Sequence, residues 1–63
     1  MMKAEFYHDF YGCTASIRQN RSQQFVLTIR SGTGHLLFRK PFKTHKGARI
    51  SMGKQSDCWE RSN

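Results

Sequence analysis

The segment from Gln24 to Arg30, QFVLTIR, constrains the fold more than any other part of this chain. Phe25, Leu27 and Ile29 fall on one side of an extended backbone, while Gln24, Thr28 and Arg30 fall on the other. That is the period-2 pattern of a half-buried strand. Two similar segments flank it. Cys13 to Gln19 places Cys13, Ala15 and Ile17 on one face and Thr14, Ser16 and Arg18 on the other. His35 to Lys40 forms a third strand, which ends at Pro41 or lies at a sheet edge, because proline cannot donate to a ladder. Asn20-Arg21-Ser22 and Ser31-Gly32-Thr33-Gly34 supply turn chemistry between the strands.

Behind the third strand, Thr44 is a good N-cap, with Ala48 and Met52 recurring at helical spacing. The spacing predicts one helix over about residues 45–56, weakened by Gly47 and Gly53 at about 1 kcal/mol each relative to alanine. Trp59 continues the same face if the helix runs on; if Gly53 caps it, residues 57–60 form a separate turn. The front of the chain is ambiguous, since its four aromatics occur as pairs around His8-Asp9. A strand over Lys3–Tyr7, turning near Asp9, would be a fourth. The expectation is an α+β single domain over residues 1–63: a possible extra N-terminal strand within 1–11, an antiparallel three- or four-stranded meander over 13–43, and one C-terminal helix across one face. No internal repeat, low-complexity segment or linker is visible.

Charge narrows the class of partner. From Phe10 to Ser56 the chain carries Arg18, Arg21, Arg30, Arg39, Lys40, Lys43, Lys46, Arg49 and Lys54, and no Asp or Glu. The formal net charge is +7. An uncompensated basic block suits a polyanion. With 37% hydrophobic residues and 63 in all, the chain supports one compact core, though a domain this small buries only about 60% of its unfolded surface. No apolar run approaches a membrane span or a signal peptide, so the expected compartment is the cytosol, where Cys13 and Cys58 stay reduced unless strand and helix bring them together.

If the helix covers the Ala15/Ile17/Leu27/Ile29 face, Arg18, Arg30 and Arg39 sit on three neighbouring strands of the opposite face. Arginine's planar fork suits phosphates and guanine edges. Lys40, Lys43, Lys46 and Arg49, around the helix start, are candidates for further phosphates. A solvated basic surface is the plain alternative. Tyr7, Phe10 and Tyr11 are the candidates for stacking on single strands, although a small domain also needs its aromatics for core. His8, Asp9, Cys13, His35 and His45 lack the paired, tight spacing of a zinc site. No catalytic residue, metal or cofactor is expected.

The junction Phe42-Lys43-Thr44-His45-Lys46-Gly47-Ala48 resembles the strand-to-helix joint of small three-stranded DNA-binding domains, the plant AP2-type domains and the arm-binding domains of tyrosine recombinases. In that pattern the aromatic packs under the sheet, the threonine caps the helix and the alanine permits close approach. The likeness covers about residues 13–55. Against it, the middle strand lacks the usual tryptophan and the front segment is additional. The resemblance implies binding of double-stranded DNA by the uncovered sheet face, in a mobile-element or phage accessory protein. The rival expectation is a protein-interaction or inhibitor module, its basic face on an acidic protein surface and Phe6–Tyr11 as anchor. A blander version is a dimer pairing through strand edges.

Overall fold

Three hairpins built on one turn design set the architecture. The structure, a computed structural model, describes residues 4–55 and 59–62. Strands β1 (Ala4–His8), β2 (Thr14–Gln19), β3 (Phe25–Arg30) and β4 (Leu36–Phe42) form an antiparallel meander, followed by helix α1 (His45–Gln55) and a two-residue strand β5 (Glu60–Arg61). The sheet order is β4-β3-β2-β1-β5. The sheet therefore has five strands, not three or four. The fifth escapes sequence reading because two charged residues carry no apolar period.

The turns repeat every 11 residues, a rhythm not visible as sequence similarity. Asp9, Asn20 and Ser31 each donate a backbone N–H to the carbonyl four residues on, at 3.0, 2.9 and 2.8 Å. Each carbonyl accepts from the residue three on, Gly12, Gln23 or Gly34. Each side-chain oxygen takes the N–H of the residue four on: Cys13 to Asp9 at 2.8 Å, Gln24 to Asn20 at 2.9 Å, His35 to Ser31 at 3.1 Å. Short Asp, Asn and Ser side chains make this local bond. The penultimate residue of each turn is left-handed: φ is 86° at Gly12, 62° at Gln23 and 92° at Gly34.

Pairing follows the alternation. Ile17 faces Leu27 and Ala15 faces Ile29, with Tyr7 beside Ala15. Ile17 and Leu27 are fully buried, each contributing roughly 1.5–3 kcal/mol on burial. Phe25, Phe38, Phe42 and Trp59 pack around this core. Pro41 does not end β4; the strand continues to Phe42 along the edge of the sheet, where a missing N–H is tolerated. A bulge between Ile29 and Arg30 of β3 places Leu36 opposite Arg30 and Phe38 opposite Ile29. Leu36 and Leu37 are left exposed.

The helix begins as its cap predicts. Thr44 Oγ1 accepts the Gly47 N–H at 3.0 Å, and buried Ala48 and Met52 face the sheet. A Cβ on Gly47 would stand 3.2 Å from Thr44 Oγ1, so the junction is tight there. Trp59 does not extend the helix. Its indole N–H donates to the Met52 carbonyl at 2.7 Å, leading the chain back to pair Arg61 with Tyr7 and Glu60 with His8. Cys13 is half-buried; Cys58, and with it any bridge between the two, lies outside the described residues, as do Lys3 and Ser56. No helix among the described residues is long and apolar enough to cross a membrane.

Candidate nucleic-acid interface

The alternation that buries one side of the meander sends the other to solvent. Helix α1 lies over the face carrying Glu5, Tyr7, Ala15, Ile17, Leu27 and Ile29. The opposite, open face carries Phe6 and His8 of β1, Ser16 and Arg18 of β2, Thr28 and Arg30 of β3, and Arg39 of β4. Strand β1 joins the sheet's plane and leaves this face uncovered.

Register places three arginines around Thr28. Arg39 is its cross-strand partner on β4, and Ser16 its partner on β2. Arg30 lies two residues further along β3, and Arg18 faces Val26, two residues the other way. All three are exposed and line one depression of about 330 Å³, with Ser16, Asn20 and Thr28 contributing hydroxyl and amide groups. Among the described residues, no carboxylate lines it. Arg30 also donates to the Gly34 carbonyl at 3.3 Å, which ties its guanidinium to the β3–β4 turn. A second depression of about 300 Å³ shares Ser16, Thr28 and Arg30 and adds Phe6, Thr14 and Ser62. The two make one trough.

The remaining sequence candidates lie elsewhere. Lys40 faces Leu27, on the helix-covered side, with its ammonium 5.7 Å from the centroid of the Phe42 ring. Arg49, on the helix, sets its guanidinium 5.9 Å from the Tyr7 centroid. Lys43 and Lys46 are exposed at the strand-to-helix joint. The three sheet arginines share one depression, whose lining includes none of Lys40, Lys43, Lys46 and Arg49. The cap also occupies one first-turn donor, the Gly47 N–H, that an anion would use.

The front aromatics divide sharply. Tyr7 is core, 5% exposed, so it offers no stacking surface. Phe10 and Tyr11 are 83% and 79% exposed, their rings in a T-shaped contact with centroids 5.6 Å apart. Buried Asp9 fixes their turn by accepting the Tyr11 N–H at 2.9 Å as well as that of Cys13. Phe6, 42% exposed on the open face, belongs to the Phe6–Tyr11 anchor segment but is not among the sequence candidates for stacking. The signal was available: a period-2 strand that buries Tyr7 must turn Phe6 outward.

Of the described acidic groups, Glu5 sits on the helix side, Asp9 in the β1–β2 turn, and Glu60, opposite His8, at the far edge of the open face. Glu5 Oε1 lies 2.5 Å from His45 Nε2 and accepts the Tyr7 hydroxyl at 2.8 Å, with Arg61 3.8 Å from Oε2. The bond to His45 is the main cause holding the Glu5 carboxyl below its ordinary value, against the opposing effect of burial. Burial, then the bond to Glu5, pushes the Tyr7 phenol up. At the β1–β5 edge, His8 Nδ1 is 2.6 Å from Ser62 Oγ, and His8 Nε2 is 3.6 Å from Glu60. These are the residue types of a hydrolytic triad. The geometry is not one, because 3.6 Å is beyond a hydrogen bond and Glu60 is 80% exposed, its charge screened by water. Among the described residues, no three His, Cys, Asp or Glu side chains are grouped to hold a metal ion.

Comparison with protein-family models, with curated proteins and with solved structures finds no match for this chain. The likeness to the AP2-type and arm-binding domains therefore rests on element order and the junction residues alone.

Proposed function

We propose that this chain is a non-catalytic nucleic-acid-binding module that meets its partner with the open sheet face. The observation that supports it is the convergence of Arg18, Arg30 and Arg39 on a depression with hydroxyl and amide lining and, among the described residues, no carboxylate. A purely solubilising surface has no need for three guanidinium groups around one concavity. Backbone phosphate is the group they suit, through paired charge-assisted hydrogen bonds, and it is common to duplex and single strand. Double-stranded DNA is the form that the likeness of the strand-to-helix joint implies, and the mobile-element or phage setting belongs to that likeness too. A cytoplasmic location would accompany either.

An acidic protein surface is the second reading. It is favoured by the Phe10–Tyr11 pair, which stands nearly fully exposed on a turn braced by Asp9, as a preorganised anchor would. Titration of a labelled oligonucleotide at about 50 and about 200 mM salt separates the two. Three arginine–phosphate contacts give a log–log slope of about −2 on single strands or about −2.7 on duplex. Replacing all three arginines by alanine should remove binding and leave the circular dichroism spectrum unchanged. Binding that ignores salt, or that survives the triple replacement, refutes the proposal.

A further inference from the structure

The trough joins two kinds of group that a duplex would not use together. Arg39, Thr28, Ser16 and Phe6 form one cross-strand row, and Arg18 and Arg30 flank it in opposite directions along the strands. The β1–β2 turn bearing Phe10 and Tyr11 lies at the same end of the sheet as Arg30. Thr14 pairs with Arg30, and a Cβ on Gly32 would come within 3.4 Å of the Gly12 carbonyl. Aromatic rings thus border the trough along β1 and stand at its Arg30 end.

Resting on the nucleic-acid reading, we infer that the ligand of this face is single-stranded, with unpaired bases stacked on Phe6 and on the Phe10–Tyr11 pair while Arg18, Arg30 and Arg39 hold the phosphates between them. In a duplex the base faces are stacked on one another and only edges and backbone are presented, so exposed rings gain nothing there. Unpaired bases present the π-face that Phe and Tyr accept whatever the sequence. The charge count agrees. Arg18, Arg30 and Arg39 are the cations that line the trough, and Lys40 and Arg49 lie on the helix side. Three guanidinium groups suit a short strand. Arg30 and Arg18 stand four residues apart along the sheet, about 13 Å, a length of backbone that one extended strand can follow.

The test uses fluorescence anisotropy with labelled oligothymidylate of about 15 nucleotides and a duplex of equal length. The single strand should bind at least about tenfold more tightly than the duplex. Phe6→Leu combined with Phe10→Ser and Tyr11→Ser should weaken it by about tenfold or more, as loss of stacking at 1–3 kcal/mol per base requires, and leave any duplex binding within about twofold. Trp59 lies on the helix side, and its fluorescence reports whether the variant is folded. If that variant is unfolded, Phe10→Ser with Tyr11→Ser alone, at highly exposed positions, carries the test. Equal or tighter duplex binding, or silent ring variants, overturns the single-strand inference while arginine-dependent binding leaves the nucleic-acid reading standing. No binding of either form overturns both.

Discussion

Replacing Gln23 by glycine should stabilise this protein, although the change removes a side chain and adds no contact. Gln23 occupies the turn position that Gly12 and Gly34 fill in the neighbouring hairpins, at φ 62°. An L-residue there crowds its Cβ against the backbone, at about 1–2 kcal/mol. Glycine removes that strain and costs roughly 0.5–1 kcal/mol in extra unfolded-state freedom. At the midpoints of these ranges the net gain is about 0.75 kcal/mol, and at 4–8 °C per kcal/mol for a domain of this size the melting temperature should rise by about 3–6 °C. Gly34→Ala is the matched control. A Cβ there meets nothing within 4 Å, so only the φ of 92° opposes it. It should cost about 1 kcal/mol and lower the midpoint by about 4–8 °C. The two sites flank β3 from opposite ends, so the double variant should return near the parent. Thermal melts followed by far-ultraviolet circular dichroism read all three. A Gln23→Gly protein that melts at or below the parent, with Gly34→Ala unaffected, would refute the shared-turn argument.

Two further outcomes follow from the helix and the Glu5 cluster. Gly53 lies in the helix with open space around a would-be Cβ, so Gly53→Ala should raise the urea midpoint by an amount equivalent to about 1 kcal/mol; no increase would mean that the glycine serves the helix end. Because Glu5 releases its proton more readily folded than unfolded, its contribution is complete above its ordinary value of 4.5 and is lost as pH falls through the lower folded value. Urea midpoints between about pH 6 and about pH 3 should therefore fall more steeply in the parent than in Glu5→Gln, and parallel curves would contradict that assignment.

Much of this was legible, for reasons particular residues make plain. Strict alternation in β2 and β3 fixes which side chains are core, so once Ile17 and Leu27 are inward Arg18 and Arg30 must be outward. Arg39 follows from Phe38 and Phe42 facing in. Thr44, Ala48 and Met52 announce the helix by a cap and a period. The rest lay in features that have no period. β5 is two charged residues held by an indole and a backbone ladder. The turn rhythm is hidden because Asp, Asn and Ser play one part and Gly, Gln and Gly another. The bulge at Leu37 depends on pairing, which no single strand's pattern reveals. The surface followed the same division. The arginine triangle was readable by parity. The trough, and the placing of Phe6 in one cross-strand row with Arg39, required the register of neighbouring strands.

The small C-terminal strand has a bearing on how the molecule assembles. Hairpin partners in the meander are near neighbours along the chain, so they can zip early at little loop-closure cost. The His8–Ser62 and Glu5–His45 contacts instead span 54 and 40 residues. Those long closures come last in folding and open first in the native state, so amides of Arg61 and Ser62 should exchange with deuterium well before those of Ile17 and Leu27, like a buckle undone on a garment that stays on.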